Sequence, residues 1–219
     1  SRGLGDVYKR QDMRLIDVLS GSDETAYGVF FQELEKDAVK WVYIDPDEQL
    51  HMAVAAAFPD AEIMLSEECV QRYARDAFKE IIRKDGSRCS IPHRYHTLTI
   101  AESYLSDYEH KRVNSGLRKR NRLRASYNAY QDLLVRMDKK WDVDAIRRWI
   151  DGLQEYLDEE RDAGERLEKL SEFDLLRDVI DIYEPQIQTY LNMKRKPPVA
   201  MASAVVAVMD ALDGMPYCI

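Results

Sequence analysis

The sequence predicts an α/β core followed by a long all-α block, and three observations carry that prediction. A run rich in residues that favour a pleated, packed surface, 39–44, and a second, apolar run, 61–65, stand one helix length apart. Strands and helices alternate up to about residue 88, the order that gives parallel pairing of neighbouring strands. Beyond Arg88, apolar residues recur at helical spacing as far as Leu191, with no further convincing strand.

In chain order, Leu15, Ile16, Val18 and Leu19 read as a short strand. Ser20-Gly21-Ser22-Asp23 is turn chemistry, and Ser22 or Asp23 can cap the next helix. That helix runs over about 24–37, with Tyr27, Phe30, Phe31 and Leu34 on one face. The strand Val39-Lys40-Trp41-Val42-Tyr43-Ile44 then ends on Asp45-Pro46. A helix over 47–57 aligns Leu50, Val54 and Ala57, and Phe58-Pro59-Asp60 stops it. After the strand 61–65, a long helix from Ser66 or Glu67 to about Lys84 turns Val70, Tyr73, Ala77, Phe78 and Ile81 inward. Asp85-Gly86-Ser87 ends it. Residues 93–100 fit either helix or strand. Helices are expected over about 100–116, 117–140, 143–164 and 166–191. Leu117, Leu123, Tyr127, Tyr130, Leu134 and Met137 make one apolar face, and Trp141, Ile146, Trp149, Ile150, Leu153 and Leu157 make another. Lys194-Arg195-Lys196-Pro197-Pro198 breaks the series, and a small-residue apolar helix is expected over 199–212.

The 219 residues are 45% hydrophobic and 33% charged, the balance of a globular chain with room for a full core. A formal net charge of -8 argues against nonspecific nucleic-acid binding by the chain as a whole, while leaving room for local asymmetry. Cys69, Cys89 and Cys218 are too scattered for a disulfide framework or a zinc site, which points to the reducing cytoplasm. No apolar run approaches the roughly 20 residues of a membrane span, so no membrane partner is expected. Asp6-Val7-Tyr8-Lys9-Arg10-Gln11 resembles the translation of a sequencing-library adaptor, so 1–11 reads as non-native. Met215-Pro216-Tyr217-Cys218-Ile219 is an abrupt end, and the chain reads as an internal fragment.

Two features carry candidate chemistry. Asp45 can be an N-cap, with Pro46 at the first helical position and Glu48 completing a capping box. It can equally be an oxygen ligand for a hard divalent cation at a strand end. The second feature is a basic run free of acidic residues: Lys111, Arg112, Arg118, Lys119, Arg120, Arg122 and Arg124. Such a run can contact phosphates, or it can be a solvated face paired with the acidic helices that follow, as in Asp158-Glu159-Glu160-Arg161-Asp162. His51, His93, His96 and His110 form no trusted metal spacing. No Ser-His-Asp set, glycine-rich phosphate loop or dinucleotide fingerprint is present.

The order of these elements resembles bacterial insertion-sequence transposases with a DDE, RNase H-like domain, of the ISL-three type, over residues 12–191. The resemblance rests on Leu15-Ile16-Asp17-Val18-Leu19, on Val39-Lys40-Trp41-Val42-Tyr43-Ile44-Asp45, and on Phe58-Pro59-Asp60-Ala61, which matches the family's Phe-Pro-Asn-Ala. Arg147-Arg148-Trp149-Ile150 and the basic run look like the family's helical insert. The resemblance implies a partial RNase H-like core over 12–88, a helical insert over 89–191, and a helical segment over 192–219 returning to the core. It makes Asp45 the second acid of the triad and a ligand of Mg²⁺ or Mn²⁺, and it makes the basic run a contact to transposon-end DNA. A homo-oligomer is a further expectation. The family's first aspartate would precede residue 12, and its glutamate would fall where Asn192-Met193-Lys194-Arg195-Lys196-Pro197-Pro198 stands. The expected function is therefore that of a DDE transposase fragment, inactive alone, or else of a non-catalytic DNA- or protein-binding derivative.

Overall fold

A computed structural model describes residues 24–32, 34, 39–86, 90–139 and 141–193. The strand expected at 15–19, the adaptor-like segment 1–11 and the helix expected at 199–212 lie outside the described residues. The chain is mostly helical, and two strands occur among the described residues. It divides into two compact units, one holding residues up to Glu68 together with those from Thr189 onward, the other spanning Cys69–Gln188.

The first unit contains α1 (Glu24–Gln32), β1 (Trp41–Tyr43), α2 (Glu48–Ala57) and β2 (Glu62–Met64). The strands pair in parallel, with Trp41 opposite Glu62, Val42 opposite Ile63 and Tyr43 opposite Met64. The Ile44 N–H extends the ladder by donating to the Met64 carbonyl at 3.0 Å. Parallel strands need a crossover, and α2 supplies it. Phe31 of α1 meets Phe58 edge-on at 5.2 Å, and both rings are buried with Tyr27, Val54, Met64 and Leu65.

The start of α2 corrects the capping reading of Asp45. Asp47 is the N-cap: its backbone is extended, and its side chain accepts the Leu50 N–H at 2.8 Å. Pro46 stands before the cap rather than at the first helical position, so Asp45 lies outside the helix, exposed. Asp47→Ala is expected to cost about 1 kcal/mol, the loss of an N-cap side chain, and more than Asp45→Ala. Urea unfolding followed by circular dichroism separates the two.

The second unit is built around α6 (Asn121–Asp138), which packs on α8 (Leu153–Glu160). From α3 (Glu67–Asp85), Phe78 stacks on Tyr130 of α6 at 4.7 Å and lies 6.4 Å from Tyr127. The Trp149 indole N–H of α7 (Val143–Asp151) donates to the buried Ala129 carbonyl at 2.9 Å, and its ring meets Phe173 edge-on at 5.2 Å. Both apolar faces expected from the sequence are inward, with Leu134 half-buried and the rest buried.

Residues 94–99 of the ambiguous stretch form α4 (Arg94–Thr99). The long helices expected further on are interrupted. Residues 102–104 form a 3₁₀ turn before α5 (Asp107–Leu117), because Ser106 and Glu109 make a capping box that starts a new helix. Gly152 separates α7 from α8. The last stretch becomes a 3₁₀ turn at 171–173, then α9 (Asp174–Ile182) and α10 (Glu184–Leu191). Pro185 has no N–H to continue the α9 ladder but is tolerated in the first turn of α10.

Candidate functional site

Asp45 follows β1 at its C-terminal end, two residues beyond Tyr43. Because the pairing is parallel, the end of β2 reaches the same edge, and Ser66, Glu67 and Glu68 follow there at the start of α3. This is the edge at which open α/β sheets present ligand-contacting side chains. Tyr43 anchors the chain where it returns to this unit. Its ring meets Tyr190 edge-on at 6.1 Å, and its hydroxyl donates to the Met193 sulfur at 3.2 Å. Burial, with the nearby Glu68 and Glu67 carboxylates, pushes the Tyr190 phenol above its ordinary pKa and keeps it neutral.

An exposed carboxylate at a strand end has the donor chemistry a hard cation requires. It is one ligand only. Among the described residues no group of three His, Cys, Asp or Glu side chains is placed to hold a metal ion. The donor set therefore suits a divalent ion in kind but does not complete a two-ion centre. His93 and His96 flank the start of α4, both exposed, and His93 adopts a left-handed backbone with φ 47°.

The basic run separates into two groups. Lys111, Arg112, Arg118 and Lys119 are exposed on α5 and the turn that ends it. Arg112 donates to the Ser90 carbonyl at 3.2 Å, and its guanidinium lies 6.0 Å from the Tyr108 ring. Arg120 turns back to the Gly116 carbonyl at 2.8 Å, where a cation complements the helix C-terminus. Arg122 is buried and bridges Asp85 at 2.6 Å and Glu172 at 2.7 Å, while also donating to the carbonyls of Glu168 and Lys169. Arg124 pairs with Glu160 of α8. Pairing with the acidic helix α8 thus describes Arg124, Arg122 pairs instead with Asp85 of α3 and Glu172 of the 3₁₀ turn, and Lys111, Arg112, Arg118 and Lys119 form an exposed cationic surface.

Arg147, from the insert-like motif, bonds Glu184 at 2.7 Å and Asp181 at 3.0 Å, and those bonds raise its pKa further. Trp149 and Ile150 of that motif are core residues. The aromatic partner of the cationic face, Tyr108, is not among the candidate residues read from the sequence. The signal was there: Tyr108, Lys111, Arg112, Ser115 and Lys119 recur at helical spacing.

No helix among the described residues is long and apolar enough to cross a membrane. No curated protein and no solved structure matches the chain. A family model described as transposase, of the ISL-three DDE type, matches residues 4–193. That match runs through β1 with Asp45, through β2 and through every helix from α1 to α10, so the chain belongs to the ISL-three-type DDE transposase family, whose general role is DNA transposition.

Proposed function

We propose that this chain serves DNA transposition through an RNase H-like DDE core, with Asp45 as one of its metal-binding acids and the exposed cations of α5 as DNA contacts. The family match supports this, together with the position of Asp45 at the C-terminal end of a parallel strand, with Asp47 as the N-cap of the helix that follows. We read 12–88 as core, 89–191 as helical insert and 192–219 as a return to the core. A bound Mg²⁺ or Mn²⁺ would act as a Lewis acid on the phosphodiester oxygens.

The rest falls to the chain's own groups. Asp45 offers its carboxylate at the sheet edge. Lys111, Arg112, Arg118 and Lys119 meet phosphates in a sequence-independent way. Arg122 and Arg124 keep that surface folded. With Asp45 as the single assigned acid, the purified 219-residue chain is expected to bind DNA without nicking it.

Fluorescence anisotropy on labelled DNA tests the binding. Affinity should fall steeply with salt. The variant K111Q/R118Q/K119Q should weaken binding to every sequence by at least about tenfold and lower the salt slope by about three. Binding that ignores both salt and these substitutions would remove α5 from the DNA-contact reading.

A further inference from the structure

We infer that the exposed face of α5, with the turn before it, is a platform for unpaired, single-stranded DNA rather than a duplex contact alone. The inference rests on the DNA-contact reading above and names its substrate class. Exposed tyrosines carry it. Tyr104 is 82% exposed and Tyr108 65% exposed. Of the two, Tyr108 has a cation beside its ring, the Arg112 guanidinium. Tyr108, Lys111, Arg112 and Ser115 share one face of α5 at i, i+3, i+4 and i+7, and all four are exposed. Val113, Gly116 and Leu117 on the opposite side are buried, which fixes the orientation of that face.

The backbone that carries the rings is held in place. The Gln131 side chain accepts the Glu102 N–H at 2.7 Å and donates to the Ile100 carbonyl at 2.9 Å, which pins the turn bearing Tyr104. The Ser106–Glu109 capping box then fixes the start of α5, one residue pair before Tyr108. Arg112 lies 6.0 Å from the Tyr108 ring and is itself tied to the Ser90 carbonyl at 3.2 Å. An aromatic ring beside a guanidinium is what an unstacked base and its phosphate require. The ring face takes the base, and the cations take the backbone. Duplex DNA hides its base faces inside the stack, so it can use the cations but not the rings. Asp107 borders the face and tempers its charge, which leaves stacking to supply the preference.

Anisotropy of the full chain with an oligothymidylate of about 20 nucleotides, against a duplex of equal length, tests the inference. The expected result is tighter binding to the single strand. Y104A/Y108A should weaken single-strand binding by at least about tenfold and leave duplex binding within about twofold, whereas Y104F/Y108F should bind both as the parent does. An unchanged unfolding midpoint in each variant shows that the fold is intact. Equal affinity for both DNAs, or indifference of single-strand binding to the alanine pair, overturns the platform while leaving the DNA-contact reading standing. Loss of all binding to both DNAs by the parent chain overturns that reading itself.

Discussion

In an active transposase carrying these residues, Asp45→Asn is expected to reduce transposition of a marked element by about a thousandfold or more. The substitution keeps the size of the side chain and removes its charge. A metal-bound charge contributes several kcal/mol to the transition state, and each 1.4 kcal/mol is about tenfold in rate. Folding should change little, because Asp45 is exposed, asparagine keeps most of its hydrogen-bonding capacity, and the cap of α2 is Asp47. The pairing of lost activity with an unchanged unfolding midpoint is therefore diagnostic. Transposition at parental frequency would exclude Asp45 from the reaction, and a lowered midpoint would return it to a structural role.

Arg122→Met is expected to lower the stability of the helical unit by about 3–5 kcal/mol, a large part of a typical domain's total. The Glu172 side chain is 4% exposed, and it would lose its 2.7 Å bond to Arg122 while keeping Lys84 at 2.9 Å and its own backbone N–H. The carbonyls of Glu168 and Lys169 would lose a donor as well. The pH dependence gives an independent signature. Burial pushes the Glu172 carboxyl up, but hydrogen bonds and charge from Lys84 and Arg122 outweigh it and hold the pKa below the ordinary value. A depressed carboxylate stabilises the fold fully above its unfolded pKa, and that stabilisation fades as pH falls through the folded value. The parent should therefore lose stability across that acidic window. In Arg122→Met the loss should be smaller, since part of the depression is already gone. Urea midpoints measured at a series of pH values check both points. A midpoint insensitive to the substitution would mean that the network contributes nothing net.

The parts of the fold written in local pattern were legible from the sequence. β1 comes from a run of β-branched and aromatic residues around Trp41, β2 from a short apolar run around Ile63, and α3 from the periodicity of Val70, Ala77, Phe78 and Ile81. The helix breaks were harder to see. The Ser106–Glu109 box, Gly152 and Pro185 are single local signals inside long periodic stretches, and periodicity alone runs through them. The cap of α2 moved from Asp45 to Asp47 because two aspartates flank Pro46, and spacing does not choose between them. Arg122 illustrates a limit of a different kind. Its partners, Asp85 and Glu172, are 37 and 50 residues away, so one run of basic residues came to hold both a buried strut and an open face. The role given to Asp45 comes from the order of elements shared with the family, not from anything in its immediate neighbours.

Metal exchange at Asp45 tests that role most directly. Asp45→Cys swaps a hard oxygen donor for a soft sulfur, which Mg²⁺ accepts poorly and Mn²⁺ accepts better. The transposase carrying this substitution should be inactive in DNA cleavage with Mg²⁺ and regain measurable cleavage with Mn²⁺, while Asp45→Ala stays inactive with both. Cleavage by Asp45→Cys that matches the parent in Mg²⁺, or a recovery in Mn²⁺ that Asp45→Ala shares, would contradict Asp45 as a metal ligand.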